Sequence, residues 1–331
     1  MALGSDHVTL TEATAATRTR SNSAFVPELW SDELGAAYKS NLVMQPLVVT
    51  MNPRGRKGDT IHVPRPNRGD ASAKAAETQV TLIANQETQT AYLLDQHWEY
   101  SRLIEDSVSV QADDSLRAFY TDDAGYALAK KVDTFLHEKM ARFAGADAAP
   151  TTAGASDYAK AVIGTPAGSA LVAWDGSAST NTGNGSTITD EGIRIMMQEL
   201  DDNDVPSMGR ALVIPPVEKR KILAIDRFTI WNEIGEGGMD NSARTGYVGD
   251  MYGATVYVSS NCPTVLADDS STAYRAAAYF HKDGVVFIEQ LAPRTQTQYK
   301  QEWLGDLFTA DILFGGGLLR PEAGIAVVVP A

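Results

Sequence analysis

Residues 112–143 read ADDSLRAFYTDDAGYALAKKVDTFLHEKMARF. Leu116, Phe119, Tyr120, Ala127, Val132, Phe135, Leu136, Met140 and Phe143 recur at helical spacing, which predicts one continuous helix. Asp113 and Asp114 stand at its start, where the helix dipole favours anions, and Gly125 softens it midway. At 1.5 Å per residue such a helix would be about 48 Å long, more than a compact small domain needs.

Downstream, residues 144–190 drop into Ala, Gly, Ser and Thr and predict a surface loop or domain seam. A helix restarts near Thr189 with Ile193, Met196, Met197 and Leu200 as its buried stripe. GRALVIPP is a short buried strand, Pro216 opens another helix, and FTIWNEIGEGGMDNSARTG is a glycine-rich loop. GATVYVSS and the closing GIAVVVP are strands, and Asp283-Gly284 predicts a two-residue hairpin turn between apolar runs. Upstream, residues 1–24 are polar without periodicity, and Trp30, Leu34, Ala37 and Tyr38 stripe a short helix that ends before Gln45-Pro46.

Residues 55–100 predict a hairpin that leaves the body of the protein. Tyr92, Leu94, Trp98 and Tyr100 share its one apolar face, DTIHVPRP supplies the partner strand, and Pro64 and Pro66 mark that strand as an edge. A lone hairpin is marginal in water, so the apolar face is expected to lie on a neighbouring subunit.

Composition removes most chemistries. The chain has 331 residues, 44% hydrophobic and 21% charged, enough to bury a core. Its net charge of -14 is the wrong sign for a duplex-DNA binder. One cysteine, Cys262, excludes an internal disulfide framework and multi-cysteine metal sites. The five histidines are scattered, and His137-Glu138 lacks the second histidine of a zinc hydrolase because Ala141 stands there. GRKGDT and GEGG lack phosphate-loop or dinucleotide spacing, and DDND lacks the glycine and glutamate of a calcium loop. The opening residues lack the order of a signal peptide, and no stretch approaches a membrane span. No catalytic residue, metal or cofactor is expected.

Charge is segregated instead. Arg54, Arg56, Lys57, Arg65 and Arg68 face only Asp59 within residues 53–69. Asp95, Glu99, Glu105, Asp106, Asp113, Asp114, Asp122 and Asp123 face only Arg102 and Arg117 within residues 95–123. Each run is either a solvated face or half of a contact between copies. The interface reading takes the basic run, Tyr92, Leu94, Trp98 and Tyr100, and the acidic residues Glu105, Asp106, Asp113 and Asp114 as contact residues.

The order of parts resembles the major capsid proteins of tailed bacteriophages, with the α+β Hong Kong 97-type fold. NDVPSMGRALVIPP, GYVGDMYGATVYVSSNCP and GGGLLRPEAGIAVVVP are similar to stretches of that family, the last to short-tailed phages in particular. The resemblance implies an N-terminal arm with a short helix at 1–45, and an extended hairpin (E-loop) with an adjoining P-domain strand at 46–104. A spine helix at 105–145, a seam at 146–187, an A-domain at 188–274 and closing β segments at 275–331 would follow. It implies a homo-oligomer of hexamers and pentamers that assembles in the host cytoplasm into an icosahedral virion shell around double-stranded DNA. Scaffolding and portal proteins would be partners, DNA contact would be non-specific, and no membrane would be involved. No coiled-coil segment precedes residue 25, so no fused scaffolding region is expected. The competing expectations are an acidic enzyme of unrecognised class and another virion component, a tail or decoration protein.

Overall fold

A computed structural model describes residues 42–53, 58–66, 71–82 in part, 87–106, 115–143, 161–162, 172–174, 185–225, 249–267, 269 and 271–331. The expected N-terminal arm and its short helix, most of the seam, and the glycine-rich loop at 226–248 lie outside the described residues. The chain divides into two compact units. The larger holds residues 41–96, 133–290 and 314–331, and the described part of the smaller holds 97–132 and 291–313.

The centre of the larger unit is an eight-stranded sheet with the order β6-β5-β14-β11-β7-β9-β8, in which β10 also pairs with β11. Here β5 is Ala161–Val162, β6 Val172–Ala173, β7 Arg210–Ile214, β8 Asp250–Met251 and β9 Ala254–Val258. The remaining members are β10 Thr264–Leu266, β11 Ala273–His281 and β14 Gly324–Pro330. Every residue of β7 is buried, and so are Ile325 to Val329 of β14; the unbroken apolar runs 211–214 and 325–329 suit strands covered on both faces. Helices α2 (Asp190–Asp202) and α3 (Pro216–Ile222) supply Ile193, Met196, Leu200 and Ile222 to one core with Leu212, Ile214, Tyr279 and Val327.

The caps of these helices are legible in chemistry. Thr189 Oγ1 accepts the Gly192 N–H at 3.1 Å, and Asp190 and Glu191 follow in the first turn of α2. The other end of α2 is closed by buried Arg210, which donates to Asp201 Oδ1 and to the Val205 carbonyl, both at 2.6 Å. In α3, Glu218 is fully buried and accepts the Ile188 N–H and Lys221 Nζ, both at 2.9 Å. A carboxylate without water needs such partners.

The long helix, α1, spans Ser115–Met140, 26 residues. It is about 39 Å long at 1.5 Å per residue. Ala124, Leu128, Val132, Leu136 and Met140, every fourth residue, are buried. Just past its end, Phe143 stacks on Phe280 with ring centroids 6.1 Å apart. A Cβ at either Gly284 or Gly324 would come within 2.7 Å of the Phe143 ring. Both positions therefore need glycine.

Two expectations fail here for a stated reason. Asp283-Gly284 is not a hairpin turn; Lys282–Gly284 is a single turn of 3-10 helix. Strand β11 has β14 along one edge and β7 and β10 along the other, so the next strand, β12 (Val285–Lys300), has no edge of β11 to pair with. It joins another sheet, where β1 (Val49–Met51) runs parallel to Val286, Phe287 and Ile288. The second failure concerns the hairpin. Only β2 (Thr60–Pro66) and β3 (Glu87–Leu93) pair, from Thr60 opposite Leu93 to Pro66 opposite Glu87. The Leu94 N–H closes that ladder on the Asp59 carbonyl at 2.8 Å. Strand β4 (Gln96–Glu105) then pairs with β13 (Gly305–Leu318).

Candidate assembly interface

The residues singled out from sequence separate into three groups. Arg54, Arg56, Lys57, Arg68, Asp113 and Asp114 lie outside the described residues. Arg65 is on β2 opposite Thr88. Tyr92 and Leu94 are not available to another subunit, which corrects the interface assignment for both. They are 4% and 7% exposed and pack with Val286 and Ile288 of their own chain. The Tyr92 hydroxyl donates to the Leu318 carbonyl at 2.9 Å, and the ring lies against Gly317. A period of two identifies a strand's apolar face but not what covers it.

Trp98 and Tyr100 do remain partly open on β4. Lys131 Nζ sits 4.4 Å from the Trp98 ring centroid, and the Tyr100 hydroxyl donates to Asp123 Oδ2 at 2.8 Å. Glu105 is half-buried and Asp106 exposed. Asp106 accepts the Tyr299 hydroxyl at 2.8 Å, and its N–H donates to the Leu304 carbonyl at 2.9 Å. That acidic residue braces the turn between β12 and β13 instead of standing free.

Sequence reasoning missed the exposed apolar residues. Trp303 and Leu304 in that turn, Val80 and Leu82 beyond the β2–β3 ladder, and Leu93 are all open to solvent. The available signal was Trp-Leu inside QEWLGD, two large apolar residues in a turn otherwise polar and acidic. On the sheet face nearby, Arg294 forks onto both oxygens of Asp311 at 2.7 and 2.9 Å, and His97 approaches Asp311 at 3.3 Å. The Arg294 guanidinium holds the Asp311 carboxyl below its ordinary range, against the opposing effect of burial.

Among the described residues, one buried polar group has the composition of an active site without its geometry. Asp133, His137 and Ser259 look like a hydrolase triad by composition, and all three are buried. The same imidazole nitrogen, Nε2, faces both Ser259 Oγ at 3.1 Å and Asp133 Oδ2 at 3.4 Å. A triad needs opposite nitrogens for base and orienting acid. Asp133 instead gathers backbone: Oδ1 accepts the Val43 and Met44 N–H groups at 3.0 Å each, and Oδ2 accepts Asn261 Nδ2 at 2.8 Å. Burial would raise its pKa, but bonds from His137, Asn261 and Met44 outweigh that and hold it low. Burial pushes the Cys262 thiol up to about 12, far from a reactive thiolate. Among the described residues no His, Cys, Asp and Glu grouping suits a metal, and no helix is long and apolar enough to cross a membrane.

Comparison with known proteins gives the chain a family. A family model described as phage capsid protein matches residues 104–327. No curated protein is significantly similar in sequence. Among solved structures, one of Mycobacterium phage Che8 is 23% identical with a TM-score of 0.63, covering 92% of this chain and 97% of that chain. The mature capsid of bacteriophage PhiM1 is 14% identical with a TM-score of 0.67, covering 91% of each chain. The capsid of cyanophage P-SCSP1u is 14% identical with a TM-score of 0.66, covering 95% and 98%. These likenesses establish the α+β Hong Kong 97-type fold, and the family match extends over most of the chain. The chain belongs to the phage capsid protein family.

Proposed function

We propose that the chain forms hexamers and pentamers of an icosahedral shell by laying its β2–β3 arm on a neighbouring copy. The observation that carries this reading is the arm itself. Its root, at Tyr92 and Leu94, is buried, while Val80 and Leu82 beyond the ladder are exposed. A two-stranded ladder of this kind is marginal unless something covers it. In this reading residues 46–104 are the E-loop and its adjoining strand, 105–145 the spine helix, and 188–274 the A-domain. Trp98 and Tyr100 are the open residues of β4 that a neighbour would cover.

The shell encloses double-stranded DNA and touches it weakly and without sequence preference, because a net charge of -14 repels phosphate. Assembly takes place in the host cytoplasm with scaffolding and portal proteins, and the subunit turns over no substrate and needs no cofactor. Negative-stain microscopy of the expressed full chain, with its scaffolding protein, tests the reading: closed particles support it, and a small oligomer with turnover would replace it by the enzyme reading. The charge contact has its own test. Reversing Arg65 and Arg68 to Glu should lower particle yield and leave the subunit's melting temperature unchanged. Asp113→Lys or Asp114→Lys should restore it. Each exposed pair contributes only about 0.2–1 kcal/mol, so the effect depends on repetition around a ring.

A further inference from the structure

We propose that Gly315, Gly316 and Gly317 of β13 are a seat for the root of the β2–β3 arm, and that this seat sets the arm's direction in the free subunit, before another copy is met. The proposal rests on the shell-subunit reading and names the residues that position the contacting part. Three successive glycines inside a strand ask for a reason, because each weakens the strand and gives it no side chain to pack. The reason here is close approach. A Cβ at Gly315 would run into the Leu93 carbonyl oxygen and come within 2.8 Å of Leu94 Cδ2. One at Gly317 would lie 3.1 Å from two carbons of the Tyr92 ring. Gly316, between them, meets β12 instead, where a Cβ would run into the Val286 carbonyl oxygen. The arm's root and β12 can come this close to β13 only because all three side chains are missing.

Both strands of the arm are fastened there. On the β3 side the Tyr92 hydroxyl donates to the Leu318 carbonyl at 2.9 Å, so the ring is held at its tip as well as against Gly317. The Leu94 N–H bond to the Asp59 carbonyl ties the end of β3 to the start of β2. On the β2 side, Gln290 Nε2 of β12 donates to the Gly58 carbonyl at 2.9 Å. Ile61 and Val63 pack against the same cluster as Tyr92 and Leu94. A hinge needs a few residues free to absorb a change of φ and ψ, and positions 58, 59, 92 and 94 are all engaged. A ladder fastened on one strand could swing. Fastened on both, it cannot turn at its root without breaking one of these contacts.

The gain is preorganisation. Association costs orientational freedom, and a part already held in its bound direction has less of it to lose. Along the arm, cover falls away from the root: Tyr92 is buried, while Gln89, Ala91 and Leu93 of β3 and His62 and Pro64 of β2 are exposed. Nothing on the outer ladder could direct the arm as the seat does, so Gly315, Gly316, Gly317 and Tyr92 act as positioning residues for assembly without themselves touching a second copy.

Distances between two nitroxide labels, measured by pulsed electron paramagnetic resonance on the full chain before assembly, test this. The labels go on Gln89→Cys in β3 and Lys282→Cys in the larger unit, both exposed. Cys262 is the single native cysteine, buried with its thiol pushed up to about 12, and should take no label. A seated arm gives one narrow distance distribution in the free subunit. A broad distribution there would overturn the proposal. Gly317→Ala, which presses on the Tyr92 ring, should move or broaden the distribution and lower particle yield. An unchanged distribution would remove the seat, and a changed one with normal yield would remove its part in assembly. Should that variant not fold, Tyr92→Phe is judged by the same criteria. It keeps the ring and deletes only the Leu318 bond, so the unseated population should rise about fivefold, the equilibrium worth of one hydrogen bond. A merely stabilising role for these residues would change melting temperature and leave the distance where it was. The shell reading fails separately: it falls if the unsubstituted chain forms no particles with its scaffolding protein, and the role in assembly falls with it.

Discussion

The eight-stranded sheet and the β2–β3 arm are both β-structure in the larger unit, yet they are built on opposite terms. In the sheet, β14 lies between β5 and β11, and Ile325 to Val329 have essentially no exposed surface. In the arm, among the described residues, β2 and β3 pair only with each other; Tyr92 is buried at the root against Val286 and Ile288, and Thr60, Ile61, Val63 and Thr90 are half-covered. Apolar burial at about 25 cal/mol per Å² stabilises the first within a single chain. In the second, among the described residues, full burial reaches only the root.

Substitutions can break or sharpen that contrast. The largest effect should come from Phe143→Ala, which empties the space between Gly284 and Gly324. Loss of about 3–5 kcal/mol is expected in denaturant titration of the subunit. Asp133→Ala should cost about 3 kcal/mol, since it strands the Val43 and Met44 N–H groups and Asn261. It should also change the pH profile. Asp133 has its folded pKa held below the ordinary 3.8, so the unfolded chain takes up the proton first. Its contribution is complete above that ordinary value and disappears as pH falls through the lower folded one. Acid titration below about pH 4 should therefore destabilise the unsubstituted chain more steeply than the variant.

Gly125→Ala should act in the other direction. It is exposed in α1 with nothing within 4 Å of an added Cβ, and it should stabilise the subunit by about 0.5–1 kcal/mol, read as a higher denaturant midpoint. The smallest effect is expected in the arm. Val80→Ser with Leu82→Ser should change subunit stability by less than about 0.5 kcal/mol. If that pair destabilises the isolated subunit as much as Phe143→Ala does, the arm is part of the core and the contrast collapses.

Local patterns carried the sequence reading as far as local patterns reach. Residues 211–214 and 325–329 are continuous apolar runs, and they lie in strands buried on both faces. The helix expected to restart near Thr189 begins at Asp190, with Thr189 as its cap. The sheet partners were not legible, because which edge remains open depends on strands far away in sequence. Asp283-Gly284 has the composition of a hairpin turn, but β14, β7 and β10 had already taken both edges of β11. Tyr92 and Leu94 were assigned to the correct face and the wrong neighbour, since Val286 and Ile288 lie nearly 200 positions away. In α1 the buried set includes Ala124 and Leu128, which were not singled out, because a stripe repeating every fourth residue winds round a helix of 3.6 residues per turn.

The place of β14 has a consequence for the time course of folding. This strand comes after all its sheet partners in the sequence, yet it sits in the interior of the sheet, parallel to β5 and antiparallel to β11. During synthesis, β5, β7, β9 and β11 emerge first and wait with an open gap between them. Such long-range closure is slow, and the waiting chain exposes apolar edges. The sheet can close only when residues 324–330 have left the ribosome. An interrupted chain lacking them leaves β5 and β11 without the strand that joins them.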